Sequence, residues 1–187
     1  MPISSVILIG PIRTGKSSIA KQLSADTGLS RKSLDDLRWK YYDEIGFDHA
    51  HAKLLEDTGR SNERRHYWSK HDPYAIRRFL QEFGRDHVLD FGGSHSLHED
   101  ESQLEQVKSI LSEYYNVVLV LPAPDIEESL RILNARRGEP HMSYGFDLNR
   151  LMLEHKSNYE LAKHIIYTKD KSVKESSAEL QLLLRVL

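Results

Sequence analysis

The sequence predicts an α/β fold in which a parallel sheet is covered by helices on both faces. Three observations predict it. Short apolar runs of β type alternate with longer, charged segments of helical type. The length of 187 residues suits one compact domain, 1–187, with a substantial core. A glycine-rich turn joins the first apolar run directly to the first helical segment.

Taken in order, Val6–Ile9 is an uninterrupted apolar run and the first strand. Lys16 to Thr27 reads as a helix, ended by Gly28, a residue free to take the left-handed cap. Leu29 to Leu34 is polar in its middle and is placed as the second strand mainly by its neighbours. Residues 35–83 hold both tryptophans and four of the nine tyrosines and contain no convincing strand, so they read as helices inserted between strands two and three. His87–Asp90 is the third strand, Leu97 to Tyr114 a helix, Val117–Leu121 the fourth strand and Asp125 to Arg137 a helix. Gly138 to Gly145 carries Gly, Pro, His and Tyr and reads as a surface loop. Asp147 to Lys163 is a helix and His164 to Thr168 the last strand. In the final helix, Ser172 to Arg185, Ser172 and Glu175 have the spacing of a capping box.

Composition narrows the partners. Twenty-six basic against 28 acidic residues give a formal net charge of -2, which provides no global attraction for nucleic acid or an anionic membrane. With no cysteine there is no disulfide framework, thiolate nucleophile or Cys-ligated zinc, which is compatible with a reducing compartment. No apolar run approaches the roughly 18 residues of a membrane span, and the opening residues lack the pattern of a signal peptide. A cytoplasmic protein, monomeric or homodimeric, is the expectation.

The sharpest motif is Gly10-Pro-Ile-Arg-Thr-Gly15-Lys16-Ser17, a complete GxxxxGK[ST] Walker A pattern in its required place between a strand and a helix. Such a loop curls so that successive N–H groups face phosphate oxygens, and the following helix adds the positive end of its dipole. Gly10, Arg13, Thr14, Gly15, Lys16, Ser17 and Ser18 are thus assigned to the nucleotide. Lys16 would reach the β and γ phosphates, and the Ser17 hydroxyl would ligate Mg²⁺. Asp90 closes the third strand, at the carboxyl edge where ligands gather in doubly wound sheets, and is the second candidate for the metal; its alternative is a solvated turn residue. Gly92 and Gly93 beyond it permit close approach of a substrate.

A GTPase is the weaker alternative. Asp90 and Gly93 have the DxxG spacing, but no guanine-reading Asn-Lys-x-Asp follows, and Thr168-Lys-Asp-Lys171 lacks the required Asp. A kinase needs in addition a base for the acceptor and a screen against water. Asp35 or Asp36, just past the second strand, supplies the base, or the pair caps the next helix. Arg131, Arg136 and Arg137 precede the irregular loop, where one or two of them could close over the phosphates, although a basic helix end is also favoured by the dipole alone. Arg60, Arg64, Arg65, His66, Tyr67, Trp68 and Lys70 suit either an anionic or hydroxylated acceptor or an ordinary amphipathic helix. His49-x-His51 and His95-x-x-His98 lack the further partners of a transition-metal site; Ser94 and His95 are better placed for substrate hydrogen bonds.

The run from Val6 to Ala20, the strand and glycines of Val88-Leu-Asp-Phe-Gly-Gly93, and Ser157 to Ala162 followed by Ile165-Ile-Tyr-Thr168 resemble the shikimate kinase-like branch of the P-loop small-molecule kinases, neighbours of the nucleoside monophosphate kinases. The resemblance spans nearly the whole chain, with only the phosphate loop specific by itself. It implies a P-loop NTPase three-layer sandwich on a five-stranded parallel sheet, a lid over residues 136–146 that carries Arg136, phosphoryl transfer from ATP with Mg²⁺, and adenine near Thr168 to Lys171, where Lys169 joins Arg131 on the nucleotide. The acceptor motifs depart from that family. The two acids are adjacent rather than Asp-x-Asp, the substrate helix has no clear Phe-Arg-x-x-Glu, the third glycine is Ser94, and His155 stands for an Arg. The expected acceptor set is Asp36, Arg64, Arg65, Gly92, Gly93, His95 and His155, and the expected activity is ATP-dependent phosphorylation of a small hydroxylated or phosphorylated molecule. A nucleoside or nucleotide kinase and a non-catalytic ATP- or GTP-binding regulatory module are the alternatives.

Overall fold

The computed structural model describes residues 5–137 and 147–185. The expected lid therefore lies outside the described residues from 138 to 146. The sheet has five parallel strands, β1 (Val6–Ile9), β2 (Ser30–Ser33), β3 (His87–Asp90), β4 (Val117–Leu121) and β5 (His164–Tyr167), in the order β2-β3-β1-β4-β5. Central β1 and β4 are buried along their whole length, as expected of strands covered on both faces. Alternation sorts their side chains. Val6, Leu8, Val118 and Val120 join Ile19, Leu23 and Leu180 in one cluster, whereas Ile7, Ile9, Leu119 and Leu121 join Tyr41, Ile76, Phe79 and Leu104 in the other.

The first cluster is closed by α1 (Lys16–Thr27) and α10 (Val173–Arg185). Gly28 ends α1 at φ 77°, its N–H reaching Ser24 O at 3.0 Å. The capping box of α10 forms in both directions, Ser172 N to Glu175 Oε2 at 2.7 Å and Glu175 N to Ser172 Oγ at 3.2 Å.

The insertion is helical, comprising α2 (Leu34–Glu44), α3 (His49–Asp57), α4 (Ser61–Ser69) and α5 (Asp72–Phe83). Strand β2 is shorter than the expected Leu29 to Leu34 because Leu34 already begins α2 and is wholly buried. Asp35 and Asp36 consequently sit in the first turn of a helix, where its dipole favours acids.

After β3, a short 3-10 turn (Gly93–Ser96) leads to α6 (Glu101–Leu111), which starts later than expected because Asp100 caps it, accepting from Gln103 N at 2.9 Å. Helix α7 (Ile126–Arg137) follows β4. The single helix expected over Asp147 to Lys163 is two, α8 (Leu148–Glu154) and α9 (Lys156–Leu161), broken where His155 turns extended at φ −75° and ψ 133°. Among the described residues, no helix is long and apolar enough to cross a membrane.

Candidate active site

The loop from Gly10 to Lys16 bends through left-handed conformations at Gly10, Arg13 and Gly15. At Gly10 (φ 128°) a side chain is excluded twice, by the backbone and because a Cβ would stand 2.7 Å from Val120 O. Gly15 precedes α1 and has no side chain to cap it, and no acid stands in the first turn. Its terminal N–H groups therefore suit an anion. Asn149 on α8 steadies the loop by accepting from Ile12 N at 3.0 Å.

Lys16 folds back over the loop, donating to Gly10 O and Pro11 O, each at 2.7 Å, and is only 6% exposed. Burial pushes its pKa down to about 8, against the opposing pull of Asp90 and Asp35. The ammonium is held by carbonyls, with the two carboxylates in its field rather than bonded to it.

A cleft of about 520 Å³ opens beside this loop, lined by Ile12, Arg13, Lys16, Ser17, Asp35, Arg38, Trp68, Asp90, Phe91, Gly92, Gly93, Ser94 and Leu148. Asp90 is nearly buried, and its Oδ2 accepts from Arg31 Nη2 on the neighbouring strand at 2.6 Å. Asp35 rests against the backbone of Gly92, where a Cβ would collide with both carboxylate oxygens. Its Oδ1 is 3.4 Å from Arg38 Nη1. The Arg38 guanidinium lies over the rings of Trp39 and Trp68, at 4.9 and 5.2 Å from their centroids. A narrow recess of about 20 Å³ continues past Trp68, Ser94 and Leu148 to Tyr42, Arg65, Ser69, Leu97 and Asp72.

The expected residues divide accordingly. Lys16, Ser17, Arg13, Asp35, Asp90, Gly92 and Gly93 line one cleft, and Arg65 lines its recess while paired with Glu99. Thr14 is internal to the loop, its hydroxyl donating to Pro11 O at 3.1 Å. Arg136 is joined to the loop reciprocally, Arg136 Nη1 to Arg13 O at 3.0 Å and Arg13 Nη1 to Arg136 O at 3.1 Å.

Other expected residues stand elsewhere. Asp36 is exposed and does not line the cleft, since it lies one step round the helix from Asp35. Ser18 is likewise exposed outside it. Arg64 pairs with Glu56 at 2.7 Å and stacks on Trp68. His155 caps α9, its Nδ1 accepting from Ser157 N at 3.2 Å, and does not line the cleft. His95 is wholly buried behind Asp35 and reaches neither cavity surface. Arg131 pairs with Glu128 at 3.6 Å, and Lys169 with the same carboxylate at 2.6 Å. Thr168 is buried, its N–H bonded to Leu121 O at 2.9 Å.

Sequence reasoning missed Arg31, Arg38, Tyr42 and Asp72. Arg38 carried a readable signal, being one helical turn after Asp35. Asp72 before Pro73 reads only as a helix start.

No protein-family model and no curated protein matches the sequence. Solved structures do. A shikimate kinase from Acinetobacter baumannii in complex with shikimate is 17% identical over 97% of this chain and 93% of that one, with a TM-score of 0.63. The Mycobacterium tuberculosis APS kinase in complex with AMPPNP and APS is 15% identical over 99% of each chain, with a TM-score of 0.55. A gluconokinase from Sinorhizobium meliloti is 10% identical over 100% of this chain and 94% of that one, with a TM-score of 0.51. At these identities the likeness is one of architecture, and the chain has the fold of the P-loop small-molecule kinases, five parallel strands ringed by helices.

Proposed function

We propose that the chain transfers the γ-phosphoryl group of ATP to a hydroxyl or phosphate of a small molecule. The observation that carries this reading is the meeting of Lys16, Ser17, Asp35 and Asp90 on one cleft beside an uncapped helix N-terminus. A phosphate loop alone suits any nucleotide-binding protein; a second carboxylate facing the same space is what an acceptor needs.

The loop and the start of α1 would hold the triphosphate, with Lys16 leaving Gly10 O and Pro11 O for phosphate oxygens. Its positive charge, disfavoured by burial, is then matched by an anion. Arg136 would close the other side, since it already grips the loop at Arg13 O. Ser17 and Asp90 fit Mg²⁺: both are hard oxygen donors on the cleft, and two such ligands suit an ion that completes its shell with phosphates and water. When bound, the ion offsets the charge that develops on the phosphates. Asp35 is the base of this reading, because it rather than Asp36 lines the cleft, and Arg38 fixes its orientation. Trp68, Ser94 and the recess towards Asp72 would hold the body of the acceptor.

The test is ADP release from MgATP in the presence of a panel of shikimate, gluconate, adenylyl sulfate, nucleosides and sugar phosphates, with the product identified by mass. Acceptor-dependent ADP formation supports the reading. Binding of MgATP with no acceptor-dependent ADP across a wide panel favours the regulatory module instead.

A further inference from the structure

His95 is completely buried, and among the described residues neither ring nitrogen has a hydrogen-bond partner. Such a ring is unusual, because buried polar atoms are nearly always paired. Each nitrogen nevertheless faces a carboxylate just beyond bonding distance. Nδ1 is 3.7 Å from Asp35 Oδ1, and Nε2 is 3.6 Å from Asp72 Oδ1. Asp72, itself 3% exposed, accepts in turn from the Tyr42 hydroxyl. A line of four groups thus runs from the cleft into the core, Asp35, His95, Asp72 and Tyr42. It crosses three elements, α2, the 3-10 turn and α5.

A neutral imidazole has one N–H and one lone pair. Between two carboxylates it can serve one, and it repels the other unless that other carries a proton. The surroundings decide where the proton lies. Burial pushes Asp72 up to about 7, with Asp35 acting the same way and Tyr42 and Arg38 opposing. Burial also pushes His95 down to about 3, helped by Arg38, His98 and Lys16 and opposed by the nearby backbone carbonyl of Gly92. The ring is therefore uncharged above about pH 3, and Asp72 is the carboxyl that keeps a proton until about pH 7.

We propose that His95 is the positioning residue for Asp35: the carboxylic acid of Asp72 donates to Nε2, so the ring hydrogen stays on Nδ1 and is donated to Asp35 Oδ1, holding that carboxylate towards the acceptor. The proposal rests on Asp35 being the base. No proton leaves the line during turnover; the acceptor's proton goes to Asp35, and His95 acts only through it. At 3.7 and 3.6 Å only a small contraction is needed at each nitrogen. When Asp72 ionises, its carboxylate attracts an Nε2–H instead, the ring hydrogen changes sides, and a lone pair faces Asp35. The line is thereby a tautomer switch set by Asp72.

The test needs no acceptor. The full chain is labelled with ¹⁵N-histidine, His95 is assigned through its backbone amide, and long-range ¹H–¹⁵N correlations are recorded against pH. Well below the Asp72 value His95 is expected to carry its hydrogen on Nδ1, and to move it to Nε2 with a midpoint near pH 7. Asp72→Asn removes the ionisable carboxyl, so the transition near pH 7 should disappear. A ring with its hydrogen on Nε2 at low pH, a doubly protonated ring at neutral pH, or an unchanged transition in Asp72→Asn would overturn the proposal. If Asp72→Asn does not fold, the wild-type titration alone decides. Because ADP release is not involved, failure here is distinct from failure of the kinase reading.

Discussion

Replacing Lys16 with methionine removes an ammonium while keeping most of the length of its stem. In the wild-type chain Lys16 is 6% exposed, and burial pushes its pKa from 10.5 to about 8. At about 1.4 kcal/mol per unit, the shift corresponds to a penalty of about 3 kcal/mol for holding the charged form in the fold. Because the folded value lies below the unfolded one, the unfolded chain binds more protons between about 8 and 10.5, and wild-type stability rises with pH across that window. The penalty is fully present below about 8 and gone above 10.5. Urea unfolding of wild type and Lys16→Met at a series of alkaline pH values isolates it, since the difference cancels the other lysines and the tyrosines. Wild type should gain about 3 kcal/mol on the variant across the window. A difference that stays level to within about 1 kcal/mol, or moves the other way, would refute the claim that the site holds this charge under electrostatic strain.

Three further outcomes follow from the cleft. Asp35→Asn should lower acceptor-dependent ADP release about 100-fold or more while leaving MgATP affinity unchanged, and the exposed Asp36→Asn should behave as wild type; equal losses in the two variants would contradict the assignment. Gly92→Ala has an ordinary backbone at φ −58° and ψ 153°, yet its methyl would strike the Asp35 carboxylate, so thermal unfolding should change little and turnover should fall as in Asp35→Asn. Arg31→Met leaves Asp90 nearly buried without its guanidinium, which should cost about 1–3 kcal/mol in urea unfolding and weaken the response to Mg²⁺.

Much of the frame was legible because it is written in local patterns. The four apolar residues of β1, the glycines of the loop and Gly28 each demand one conformation, and the strand-loop-helix unit follows from them. Strand β2 was harder, because Ser30-Arg-Lys-Ser33 has no apolar alternation and is a strand through its pairing with β3. The break at His155 was hidden by the continuous helical periodicity on either side; the sequence has no proline or glycine there, and the turn is held by contacts with Ser157. In the site, the loop residues were readable by motif, but the choice between Asp35 and Asp36 depends on where β2 ends. That boundary is set by the burial of Leu34. Asp72 and Tyr42 are 30 residues apart in sequence and meet only because α5 packs on α2. His95 looked like a substrate contact because it adjoins the glycines, and its burial behind Asp35 follows from the 3-10 turn.

The most direct measurement is a calorimetric titration of MgATP into the wild-type chain and into Lys16→Met. Binding of a triphosphate on the loop predicts saturable one-to-one association with wild type, weakened at least about tenfold in the variant, the equivalent of about 1.4 kcal/mol. No association with wild type, or the same affinity in both proteins, would contradict it.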